Sequence, residues 1–146
     1  MLLSSLVAVA VAVASSAAWE CRCVMADAPE WQEKEARTAA QRKINSQLLY
    51  EIYRRRGEAE KRGIPAGPTD VRIDKDGRAL VDVRAEVTPA MEKKVRDAGG
   101  AVISTSSRDQ SIIARIPILK LERLADDPAV HAIEPAAEAI TNRPKR

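Results

Sequence analysis

The sequence predicts an α+β fold in which strands and helices alternate as β-α-β-β-α-β, and three segments predict it. Ser111–Pro135 reads as strand, helix, strand with almost no linker. Thr88-Pro89 opens an amphipathic helix between two further strand-like runs, and Asp76-Gly77 is a tight-turn signal just ahead of the first of them.

In chain order, the first residues come before any domain. Leu2–Ala14 is an apolar run followed by small residues. It falls short of the roughly 20 residues of a membrane span and fits the core of a signal peptide. Cleavage is expected after Ala18 (Ser16-Ala17-Ala18) or after Ala26 (Val24-Met25-Ala26). No Lys or Arg precedes the run, so only the terminal amine supplies its positive charge, and an uncleaved anchor is the alternative. The expected address is secreted or periplasmic, with no membrane partner once the leader is gone. Cys21 and Cys23 are one residue apart, too close for an unstrained ring. The single histidine, His131, lies far from both, so neither a disulfide nor a metal site is expected there.

Residues 27–62 read as a helical arm. Ile44, Leu48 and Ile52 fall at four-residue steps with Leu49 and Tyr53 alongside, giving one apolar face. The arm is either a partner-binding helix or, on the plainer reading, a cover for part of the domain. Gly57 and the run Gly63–Pro68 end it and predict a linker over 63–70.

A domain over 71–135 follows. Val71–Asp74 is expected as an extra hairpin strand before the Lys75–Arg78 turn. In the next strand Ala79, Val81, Val83, Ala85 and Val87 point one way and Leu80, Asp82, Arg84 and Glu86 the other. Thr88 is a good N-cap; Met91, Val95 and Ala98 line one helix face, and Gly99-Gly100 ends it. Ala101–Ser106 is a strand, a polar turn follows near Arg108-Asp109, and Ile112, Ala114 and Ile116 alternate in the next. Ile118, Leu121, Leu124 and Ala125 form the apolar stripe of a short helix from Pro117, which Asp126-Asp127-Pro128 stops before Val130–Ile133 resumes extended structure. Two such βαβ-like halves make a ferredoxin-like sandwich with both helices on one sheet face. The other face is then bare, and alternation puts Leu80, Arg84, Val102, Ser104, Ser106, Ile113 and Arg115 on it.

Composition narrows the function. Lys and Arg number 24 against 21 Asp and Glu, and only Arg54–Arg56 and the C-terminal tail are densely basic. Consecutive arginines on a helix spread around the cylinder, which argues against nucleic acid as a partner; an exported polyanion binder using them is a third option. No Gly-x-Ser-x-Gly elbow, phosphate loop or metal-spaced cluster occurs, so no enzyme and no cofactor are expected. Phe is absent, and all four Trp and Tyr precede the linker, so the 71–135 domain packs with aliphatic side chains and is expected to be marginally stable.

The pattern A-x-[IL]-P-x-x-x-L-x-x-L-x-x-x-P-x-V-x-x-I-E-P, Ala114 through Pro135, resembles the C-terminal half of the subtilase propeptide and proteinase-inhibitor family. The likeness extends back to about Leu80 and, more loosely, to the helix around Lys43. It implies an inhibitor and folding chaperone of a subtilisin-like serine protease, here without the catalytic domain. On that implication the bare face docks on the protease through Leu80, Arg84, Val102, Ser104, Ile113 and Arg115. The tail, residues 136–146, runs out as an extended peptide, with Asn142, Arg143, Pro144, Lys145 and Arg146 entering the active-site cleft as a cleaved product does. Arg146 would face the primary specificity pocket. Arg143-Pro144-Lys145-Arg146 also reads as a dibasic processing signal or a solvated basic tail. From another class, the alternative is a ferredoxin-like ligand-sensing or assembly module with no effect on proteases.

Overall fold

A computed structural model describes residues 29–136. The expected leader, with the two cleavage positions expected for it and both cysteines, and the tail segment Asn142–Arg146 lie outside them. The elements are α1 (Pro29–Glu35), α2 (Ala39–Arg42), α3 (Ser46–Arg56), a 3-10 turn (Glu60–Arg62), β1 (Arg78–Ala85), α4 (Pro89–Asp97), β2 (Ala101–Ser106), β3 (Ser111–Pro117), a second 3-10 turn (Ile118–Lys120), α5 (Leu121–Ala125) and β4 (Val130–Pro135). The fold is α+β: one antiparallel four-stranded sheet, in the order β2-β3-β1-β4, with helices packed on it.

Local chemistry sets the helix ends. Thr88 Oγ1 accepts from the Met91 amide at 3.1 Å, and Pro89 fills a first-turn position where no N–H is needed. Thr38 and Gln41 form a reciprocal capping box on α2. Asn45 caps α3, and Gly57, with φ 71°, ends it in the left-handed conformation. Gly100 has a different reason to be glycine. A Cβ there would meet the Val95 carbonyl oxygen at 2.7 Å and the Ile116 side chain at 3.0 Å, so α4 can turn tightly back onto β3 only without one.

The period-two pattern of β1 is realised: Ala79, Val81, Val83 and Ala85 are fully buried, while Leu80, Asp82 and Arg84 are half-buried on the opposite face. Ile112, Ala114 and Ile116 of β3 and Val130 and Ile133 of β4 join the buried set. Ile44, Leu48, Leu49, Ile52 and Tyr53 pack in the same cluster, as do Met91, Val95, Leu121 and Leu124. The segment 43–56 is therefore part of the domain's own core. It also touches the sheet through its backbone. The Asn45 amide donates to the Ile133 carbonyl at 2.9 Å and the Ile133 amide to the Lys43 carbonyl at 2.8 Å, a parallel bridge along the outer edge of β4.

The expected hairpin strand over Val71–Asp74 is a correction. It is reduced to a single bridge, Ile73 to Ala79. The turn itself forms, with Asp74 Oδ1 accepting from the amides of Asp76 and Arg78 at 2.9 Å each. The residues before it are drawn to α3 instead of β1. Thr69 Oγ1 donates to Glu51 at 2.7 Å, the Asp70 amide to Gln47 at 3.0 Å, and Arg54 to the Pro65 carbonyl at 3.0 Å.

Polar ties lock the helices to each other. Glu122 on α5 accepts from Gln41 at 2.8 Å and pairs with Arg56. Burial opposes its charge, but the hydrogen bonds from Arg56 and Gln41 outweigh that and hold its carboxyl below the ordinary value. Lys94 on α4 pairs with Asp127, and that hydrogen bond, with one from the Ala129 amide, holds the Asp127 carboxyl low. Glu33 on α1 is buried in a bidentate pair with Arg37 at 2.7 and 2.8 Å. Beneath it the Tyr53 ring carries the Arg62 guanidinium 4.3 Å from its centroid. Among the described residues the buried Tyr53 hydroxyl has no hydrogen-bond partner. Burial, then the nearby Glu33 carboxylate, raises its pKa.

Candidate docking face

The sheet face away from the helices is built by register. Directly opposed residues share a face, so Leu80 beside Arg115, Asp82 beside Ile113 and Arg84 beside Ser111 form its centre. β2 adds Ala101 opposite Arg115, Ser104 opposite Ile113 and Ser106 opposite Ser111. β4 adds Glu134 opposite Asp82 and Ala132 opposite Arg84. Of the residues expected here, Leu80, Arg84, Ser104, Ile113 and Arg115 are brought together.

Val102 is a correction: it lies on the helix side. A bulge between Val102 and Ser104 sets Val102 opposite Ala114, against the core, and Ser104 opposite Ile113. Strict alternation assigns both to one face, and one extra residue in the strand separates them. A second irregularity, between Arg84 and Ala85, has the same effect on β4: Val130 and Ile133 are both buried, three residues apart, and Ala132 and Glu134 fall on the open face. That odd spacing was present in the sequence as Val-x-x-Ile and is the signal that would have found them. His131 is exposed at this irregularity.

The face is polar at its centre and organised. Asp82 accepts from Ser111 Oγ at 2.6 Å and pairs with Arg84 at 2.9 Å. Arg84 also donates to the Asp109 carbonyl at 3.2 Å, and Ser106 Oγ to the Asp109 carboxylate at 2.6 Å. These bonds tie β1 to the β2–β3 turn and hold Arg84 and the turn in fixed positions beside the half-buried Leu80 and Ile113. A preorganised mixed surface of this kind can bind a folded partner with little side-chain ordering cost. Where β4 ends, the Ala136 amide donates to the Leu80 carbonyl at 3.1 Å, so the last described residue lies alongside β1.

Among the described residues no group of three or more His, Cys, Asp or Glu is placed to hold a metal ion, and no helix is long and apolar enough to cross a membrane. A cleft of about 280 Å³ opens on the helix side between α4 and α5 and is lined by Lys94, Asp97, Arg123, Leu124 and Asp127, away from the open face. Searches against known protein families, curated proteins and solved structures found no match to this chain.

Proposed function

We propose that this chain is an exported inhibitor and folding chaperone of a subtilisin-like serine protease, docking by its open sheet face and inserting its C-terminal tail as a product-like peptide. The observation that carries the reading is the sheet order β2-β3-β1-β4, antiparallel throughout, with the buried side chains of α3, α4 and α5 clustered on one side. That order is the one expected of a ferredoxin-like β-α-β-β-α-β sandwich, the fold implied by the resemblance of Ala114–Pro135. It leaves Leu80, Arg84, Ser104, Ile113 and Arg115 together on the uncovered face. The tail starts beside β1, and its ten residues after Ala136 reach roughly 33 Å if extended. Inhibition then needs no chemistry from this chain: the face supplies area, and the tail supplies strand-like backbone hydrogen bonds in the cleft.

The test is a titration of residues 27–146 against several subtilisin-like proteases, with a chymotrypsin-fold protease as control. Inhibition confined to the subtilisin-like enzymes, and weakened at least tenfold by removing residues 137–146, is the expected result. A folded protein that inhibits none of them overturns the proposal.

A further inference from the structure

β2 is the strand whose register is held least firmly. None of its side chains is buried, and Ala101, Ile103, Ser104 and Thr105 are exposed. A strand without a buried face has little to stop it slipping. Val102 stands opposite Ala114 and Ser104 opposite Ile113, so Ile103 between them is the extra residue of the bulge. It is 56% exposed, while the smaller Val102 packs against the core. At the start of the strand Ala101 pairs with Arg115, which sets Gly100 level with Ile116. A Cβ there would come within 2.7 Å of the Val95 carbonyl oxygen and 3.0 Å of the Ile116 side chain.

We propose that β2 exchanges between two registers, the bulged one and a second in which the bulge is gone and Ile103 replaces Val102 opposite Ala114. The hairpin end, residues 104–106, stays in place, and residues 101–103 move one pair along β3, away from the hairpin. Ile103 then packs on the core, Val102 turns to the open face opposite Arg115, and Ala101 comes level with Ile116. A larger apolar side chain is covered in place of a smaller one, which favours the second register. Against it, Ala101 brings a Cβ to the place where Gly100 now fits, and the Gly100 amide gives up its 2.9 Å bond to the Val95 carbonyl. These two losses keep the bulged register the major one, while Gly99-Gly100 lets the connection from α4 adjust. Residue 101 therefore sets the balance. The second register also changes the surface: Val102 joins Leu80 and Ile113 on the open face, so a partner that touches Val102 there draws β2 into it. The exchange itself belongs to the free chain and stands apart from the protease reading.

Relaxation-dispersion and saturation-transfer NMR on the full chain test it. The expected result is exchange confined to the amides of residues 99–104, with the β1 amides silent. Ala101→Val, whose larger side chain cannot take the place of Gly100, and Ile103→Asp, which cannot pack on the core, should both abolish it. Ala101→Gly removes the clash and should raise the minor population at least tenfold, with contacts from the Ile103 methyls to Ala114 appearing. Positions 101 and 103 are exposed, so the three variants keep the fold. No exchange in the unaltered chain, exchange that survives in Ala101→Val or Ile103→Asp, or a population that Ala101→Gly does not move overturns the inference.

Discussion

Leu48 on α3 is fully buried, although it lies ahead of the Gly63–Pro68 run that reads as a boundary in the sequence. Leu48→Ala therefore tests whether the segment before that run is structural. Its side chain packs in one cluster with Val81, Val83 and Ile133 of the sheet. Truncation removes the transfer free energy and leaves a cavity, for a loss of about 3 kcal/mol. Against a total stability of roughly 5–15 kcal/mol that is a large share, and for a domain near 100 residues it lowers Tm by about 12 °C or more. The assay is urea denaturation followed by circular dichroism, with hydrogen exchange read at the β1 amides, 79–85. Arg55→Ala, at an exposed site on the same helix, serves as control and stays within about 0.5 kcal/mol. The β1 amides should lose protection in Leu48→Ala to the extent that global stability falls. If they keep full protection while the helical signal alone weakens, the segment is an appendage and the shared-core argument fails.

Other consequences follow from single contacts. Gly100→Ala forces a methyl to 2.7 Å from the Val95 carbonyl oxygen, backbone that cannot yield, and should cost about 1–3 kcal/mol in the same urea assay. Tyr53→Phe removes a buried hydroxyl that has no partner among the described residues, keeps the ring under Arg62, and should be neutral or stabilising by up to about 1 kcal/mol. A loss of more than that would mean that the hydroxyl is bonded in solution. Glu122→Gln addresses pH. The folded pKa of Glu122 lies below its ordinary 4.5, so its contribution is present above that value and fades as pH falls through the lowered folded value. The substitution should cost about 0.5–1 kcal/mol near pH 7, discounted for the partly exposed Arg56, and progressively less as the pH is lowered below 4.5, checked by urea midpoints across that range.

How much of this was legible in the sequence depends on the length scale of the signal. The alternation of Ala79–Ala85, the Thr88-Pro89 cap and the Asp-Gly turn are local, and each took the form that its own residues dictate. Val71–Asp74 went the other way because Thr69 and Asp70 found partners on α3, more than fifteen residues upstream, a competition that no local pattern reveals. The open face was legible for β1 and β3, whose register is unbroken. It was misread at Val102 because one inserted residue flips every assignment on one side of it. The joining of Lys43–Asn45 to β4 had no sequence signal at all, since those bonds are made by backbone.

Docking through the open face is tested most directly by the inhibition constant of Ile113→Glu against a subtilisin-like protease that the unaltered chain inhibits. Ile113 is at the centre of the face, between Asp82 and Ser104, and Leu119→Glu places the same charge at an exposed site outside it. A buried, unpaired carboxylate in an interface should weaken inhibition at least tenfold, with Leu119→Glu unchanged. Equal inhibition by the two folded variants would contradict docking through this face.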